Sequence, residues 1–162
     1  MSTASTTAVI LALAVAVAVF GGGGACSDDA TDDGGTTYNC EAETRDEQFL
    51  AGMQKQAPGG TLVALTSAMP APPGRDDNTW AVAVSKSGAA LAGATVKVTP
   101  FMPDHRHGTS VPVVVTPDPA TPGHYELSPI NLWMPGLWEI TIDVTPAGGT
   151  RDAVVFRFCI TG

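Results

Sequence analysis

Leu137–Val144 (LWEITIDV) alternates without a break: Trp138, Ile140, Ile142 and Val144 hold one parity, Glu139, Thr141 and Asp143 the other. A period of two with β-branched and aromatic residues on one side is the pattern of a strand with one face in a core and one in water. Downstream, Val154–Ile160 (VVFRFCI) repeats it, with Val154, Phe156, Phe158 and Ile160 on one side and Val155, Arg157 and Cys159 on the other. Upstream, Thr79–Ser85 places Trp80, Val82 and Val84 together, and Gly93–Thr99 does the same for Val96 and Val98. Thr61–Ala68, Val111–Thr116, His124–Ser128 and Asn131–Met134 are further short strand candidates, and the last strand is expected over Asp152–Ile160. Pro70–Asn78 (PAPPGRDDN) cannot carry a ladder and reads as a stiff connection.

Seven or eight short strands at regular spacing predict an all-β chain, an immunoglobulin-like antiparallel β-sandwich, with a small closed barrel as the alternative. One short N-terminal helix is expected over Arg45–Gln56. There Thr44-Arg45-Asp46-Glu47 has capping-box spacing, and Phe49, Leu50 and Met53 follow at helical intervals.

Ahead of the strands, Ala8–Phe20 (AVILALAVAVAVF) is an apolar run of signal-peptide length. It falls short of the roughly 20 residues that span a bilayer. Small residues Gly21–Ala25 precede Cys26, an arrangement that resembles the lipobox of bacterial lipoproteins, although Gly23 stands where Leu is usual. The expected organisation is a signal peptide over 1–25, a lipidated Cys26 opening an acidic, disordered linker over 26–39, and a folded domain over 40–162. An ordinary cleaved signal or an uncleaved anchor is the other reading; each places the domain outside the cytoplasm, facing the periplasm or the cell exterior. Several acyl chains would anchor stably, since each buried CH₂ contributes about 0.8 kcal/mol.

The formal net charge of −8 is uneven. Eight of the sixteen acids lie between Asp28 and Glu47, where Arg45 is the only base; seven bases and eight acids follow. The folded part is therefore near neutral, and no basic stripe exists to neutralise phosphates, which excludes nucleic acid as a partner. With Cys26 assigned to lipid, Cys40 and Cys159 remain as a pair in an oxidising compartment, and a disulfide is expected. Cys159 faces away from the core parity of its strand, toward a segment crossing the outside. No CxxC spacing supports a redox or metal role for these cysteines.

Chemistry-bearing residues concentrate in Phe101–Gly108 (FMPDHRHG) and in Asn131–Ile140 (NLWMPGLWEI). MPDHRHG, then Gly123-His124-Tyr125, then MPGLWEI, in that order, resemble the YtkA-like domain family over roughly Thr79–Phe158. That family is related to FixH-like proteins associated with cytochrome oxidase assembly and copper supply. The resemblance implies an exported or membrane-attached immunoglobulin-like domain without established enzymatic activity; as a copper-handling module it would have a copper-requiring envelope protein as partner.

The residues themselves leave two readings open. In an extended stretch His105 and His107 point to one side, about 6–7 Å apart. Imidazole with thioether suits copper, Met favouring Cu(I), so Met102, His105, His107 and Met134 form a candidate metal set if the two Met-Pro segments adjoin. Alternatively Met102 and Met134 fill gaps in the core, the histidines bond loop backbone, and Asp104 caps a turn. The chain is then a structural or adaptor lipoprotein that binds another envelope protein. His124 stands apart and reads as a surface residue. No enzyme is expected: no G-x-S-x-G or comparable nucleophile setting occurs, and a zinc hydrolase would need a third ligand.

Overall fold

The computed structural model describes residues 38–162, so the expected signal peptide, Cys26 and the linker as far as residue 37 lie outside the described residues. Ten strands follow a 3-10 turn at Cys40–Ala42: β1 (Met53–Gln56), β2 (Thr61–Met69), β3 (Asp76–Lys86), β4 (Ala89–Ala90), β5 (Thr95–Met102), β6 (His107–Gly108), β7 (Val114–Pro117), β8 (His124–Leu132), β9 (Gly136–Thr145) and β10 (Asp152–Ile160). Eight of them are four residues or longer. One antiparallel sheet runs β1-β2-β3-β8-β7, with β4 on β3, and the other runs β10-β9-β5-β6.

The two sheets bury the parities marked by the sequence. Trp80, Val82, Leu127 and Ile130 of the first sheet share one core with Trp138, Ile140, Ile142 and Phe156 of the second. Trp80 meets Phe156 and Phe158 edge-on, with centroids 6.4 and 5.5 Å apart, so β3 and β10 interlock across the layers. Edge-to-face pairs contribute about 0.5–1.5 kcal/mol each beyond the area they bury.

The expected helix over Arg45–Gln56 is absent. That segment runs extended along β10 to a turn at Ala51-Gly52, and its last residues form β1. The capping-box residues have other partners. Glu47 does not reach back to Thr44; its carboxylate accepts from the Arg157 backbone N–H at 2.9 Å, and its own N–H donates to the Arg157 carbonyl at 2.9 Å. Phe49 packs edge-on against Phe158. The disulfide between Cys40 and Cys159, with Cα atoms 5.6 Å apart, fixes the start of this strap on the outer face of β10.

Between β2 and β3 the proline-rich connection is pinned by buried Asn78. Its amide nitrogen donates to the carbonyls of Gly74, Asp76 and Ile130, and its oxygen accepts from the Gly74 N–H. The adjoining Arg75 is thereby placed against the connection from β8 to β9.

Candidate functional site

The site is built on the hairpin from β5 to β6 and on the short link from β8 to β9. Pro103 cannot continue a ladder, and the chain turns through Pro103–Arg106, with Arg106 at φ +59° and its N–H donating 2.8 Å to the Met102 carbonyl. The extended geometry expected for 105–107 is thus replaced by a turn, because β6 folds back on β5 with Met102 opposite His107. Gly108 follows because a Cβ there would lie 2.6 Å from the Pro100 carbonyl oxygen.

The turn still brings the two histidines together. Their ring centroids are 5.6 Å apart at 77°, and His107 also stacks on Trp133, 5.6 Å away at 23°. Two imidazoles sharing an ion with metal–nitrogen bonds of about 2 Å have centroids about 5–6 Å apart. His107 Nδ1 lies 3.1 Å from the Gly108 carbonyl. A carbonyl only accepts, so this contact calls for a proton on Nδ1, and in the neutral ring the lone pair is then on Nε2.

Met102 and His107 oppose one another in register, so both side chains leave the same face of the sheet. Met102 is 1 % exposed and belongs to the core. The two Met-Pro segments do adjoin: a Cβ on Gly136 would lie 2.7 Å from Met102 Cε. Met134 is half-buried against the core, and its carbonyl accepts 2.9 Å from Trp138 Nε1. The Trp133 carbonyl accepts 3.1 Å from Arg75 Nε, while its side chain is 43 % exposed. The structure therefore gathers His105, His107 and Trp133 at the rim, sets Met102 beneath them, and places Met134 on the neighbouring link.

Asp104 is engaged elsewhere. Arg45 Nη1 and Nη2 donate to its two oxygens at 2.8 and 2.7 Å, and Tyr38 Oη lies 3.3 Å away. The Arg45 guanidinium, through these bonds, holds the Asp104 carboxyl below the usual range; the same guanidinium does so for Glu43. Arg45 is raised in turn by its bonds to Asp104 and Glu43. The Tyr38 phenol is pushed up by its hydrogen bond to Glu43.

His124 lies at the far end of β8, lining a groove of about 340 Å³ with Pro117, Asp118 and Glu126. Among the described residues no three His, Cys, Asp or Glu side chains converge to hold a metal ion. The donors present at the hairpin are two imidazoles with thioethers nearby. Sequence reasoning gave Trp133 and Arg45 no role. Trp133 was visible inside NLWMPGLWEI, and Arg45 as the lone base of the acidic stretch.

A family model described as YtkA-like matches residues 55–143, more than half of the chain. No curated protein and no solved structure gives a significant match.

Proposed function

Since the chain belongs to the YtkA-like family, we propose that it is an exported, lipid-anchored binding module, not an enzyme, that holds copper at one end of its β-sandwich for handling at the cell envelope. The observation that carries this reading is the His105–His107 pair, 5.6 Å apart, with Nε2 of His107 left free by the Nδ1 contact to Gly108. Two imidazoles supply the ligands, and the thioethers of Met102 and Met134 bias the site toward Cu(I). The order β2-β3-β8-β7 facing β5-β9-β10 is the pairing of the seven-stranded immunoglobulin plan, which we take as the fold's lineage.

Titration of the domain with Cu(I) against a competing chelator tests the site. The wild type is expected to bind one ion tightly, and the His105→Ala/His107→Ala variant to lose it. A wild type that never outcompetes the chelator ends the copper reading. Anchoring is tested separately: Cys26→Ser should move the protein from the detergent phase to the aqueous phase.

Two observations favour a second reading. Met102 is 1 % exposed and Asp104 is bound to Arg45, as a purely structural corner would have them. In that case the chain is an adaptor lipoprotein, and the double variant melts lower with no metal binding to lose.

A further inference from the structure

The hairpin that carries the two histidines has little of its own to hold it. β6 is two residues long and pairs with β5 only through Phe101–Gly108 and Met102–His107, and the turn adds the Arg106–Met102 bond. A two-residue strand at a sheet edge is a weak support. What meets the turn from outside is the strap before β1. Arg45 Nε and Nη2 donate to Glu43 at 2.8 and 2.7 Å, while Nη1 and Nη2 grip Asp104, the residue next to His105. The Glu43 side chain is only 4 % exposed and accepts from Tyr38 Oη at 2.7 Å. The Tyr38 ring lies against Gly136, whose Cβ position is also bounded by Met102. Farther along, Cys40 is bonded to Cys159 and Glu47 is hydrogen-bonded twice to Arg157. The strap is thus fixed on β10 at two points and reaches the hairpin between them, and it precedes residues 55–143, which match the family.

We propose that Arg45 is a positioning residue: through Asp104, the disulfide-tethered strap clamps the hairpin so that His105 and His107 stay in metal-binding geometry. The inference rests on the copper reading for its purpose, while the clamp itself has a metal-free readout. Arg45 holds a positive charge against Asp104, the residue next to His105 in sequence. Removing it would relieve Coulomb repulsion and so strengthen the binding of a cation; a clamp predicts the opposite sign.

The test compares wild type, Arg45→Gln and Arg45→Lys by Cu(I) competition, by hydrogen exchange of the Arg106 amide in metal-free protein, and by melting. The expected result for Arg45→Gln is a 10–100-fold weaker affinity, of the order seen when outer-shell partners of metal ligands are lost. Protection at Arg106 is lost as well, and Arg45→Lys recovers part of both, since an ammonium cannot bridge two carboxylates as a guanidinium does. Unchanged or tighter copper binding with Arg106 still protected overturns the clamp. So does weaker binding with Arg106 still protected. Should the wild type bind no Cu(I), the copper reading fails and the clamp is judged by Arg106 alone: lost protection upholds it, retained protection overturns it.

Discussion

Replacing both bridge cysteines, Cys40→Ser with Cys159→Ser, removes a cross-link that closes a loop of 119 residues in sequence. In the chain-entropy model the closed loop costs the unfolded state about 2.1 + 1.5R ln n cal/mol/K, which for this n comes to about 16 cal/mol/K, or about 5 kcal/mol at 25 °C. Against a usual domain stability of about 5–15 kcal/mol, that is a large share. For roughly 125 ordered residues, at about 2.1 cal/mol/K each, a loss of that size lowers Tm by about 15–20 °C. The contacts that hold the strap in the folded state, Glu47 with Arg157 and Phe49 with Phe158, do not involve the two cysteines, so the expected loss falls on the unfolded-chain term. Urea denaturation of oxidised wild type and the double variant, followed by Trp fluorescence and far-UV dichroism, measures it. A loss below about 1 kcal/mol, where the model gives about 5, would refute the loop-entropy argument. It would mean that the unfolded chain keeps its ends together without the bond.

Other expectations follow from single contacts. Trp80 and Trp138 are both fully buried, but Trp138 Nε1 donates to the Met134 carbonyl while Trp80 Nε1 has no hydrogen-bond partner among the described residues. Trp138→Phe should therefore cost about 1 kcal/mol more than Trp80→Phe in chemical denaturation; equal costs would show that the Met134 bond contributes nothing. Gly108→Ala should push β6 off the Pro100 carbonyl and destabilise by about 1–3 kcal/mol, with copper affinity falling beside it; a neutral result would show that the hairpin relaxes freely. At Asp152 burial raises the carboxyl, but the N–H groups of Gly59 and Thr61, at 3.1 and 3.2 Å, outweigh it and hold it below the usual range. With the folded value depressed, its contribution is complete above the ordinary carboxylate range and is lost as pH falls through the folded value. Asp152→Asn should accordingly flatten the acid limb of a stability–pH curve, and an unchanged limb would count against this role.

Much of the sandwich was legible in the chain. Trp138, Ile140, Ile142 and Val144 are buried as their parity demanded, and so are Val154, Phe156, Phe158 and Ile160. Each strand's inward face is a local pattern that tertiary packing reinforces. The strap is where local pattern misled. A capping box is worth only about 1 kcal/mol, and here it competes with a covalent bond at Cys40, an edge of β10 in need of partners, and a Phe158 ring ready for Phe49. None of those competitors is within helical reach in sequence. The site divides the same way. The proximity of His105 and His107 followed from their spacing, although a turn and not an extended strand achieves it. The stacking of Trp133 on His107 joins residues 26 apart, and the grip of Arg45 on Asp104 joins residues 59 apart. Such pairs depend on how the sheets stack, which no single segment encodes.

Glu47 carries a consequence beyond the strap. By giving its N–H to the Arg157 carbonyl and taking the Arg157 N–H on its carboxylate, it stands in for one residue of a neighbouring strand and then stops. Across the molecule, the free side of β7 is bracketed by Pro112 and Pro117, which offer no donors. A second molecule arriving in extended form at either of these two edges finds a plugged register on β10 and few donors along β7. These two edges are therefore poor templates for a backbone ladder shared with another chain.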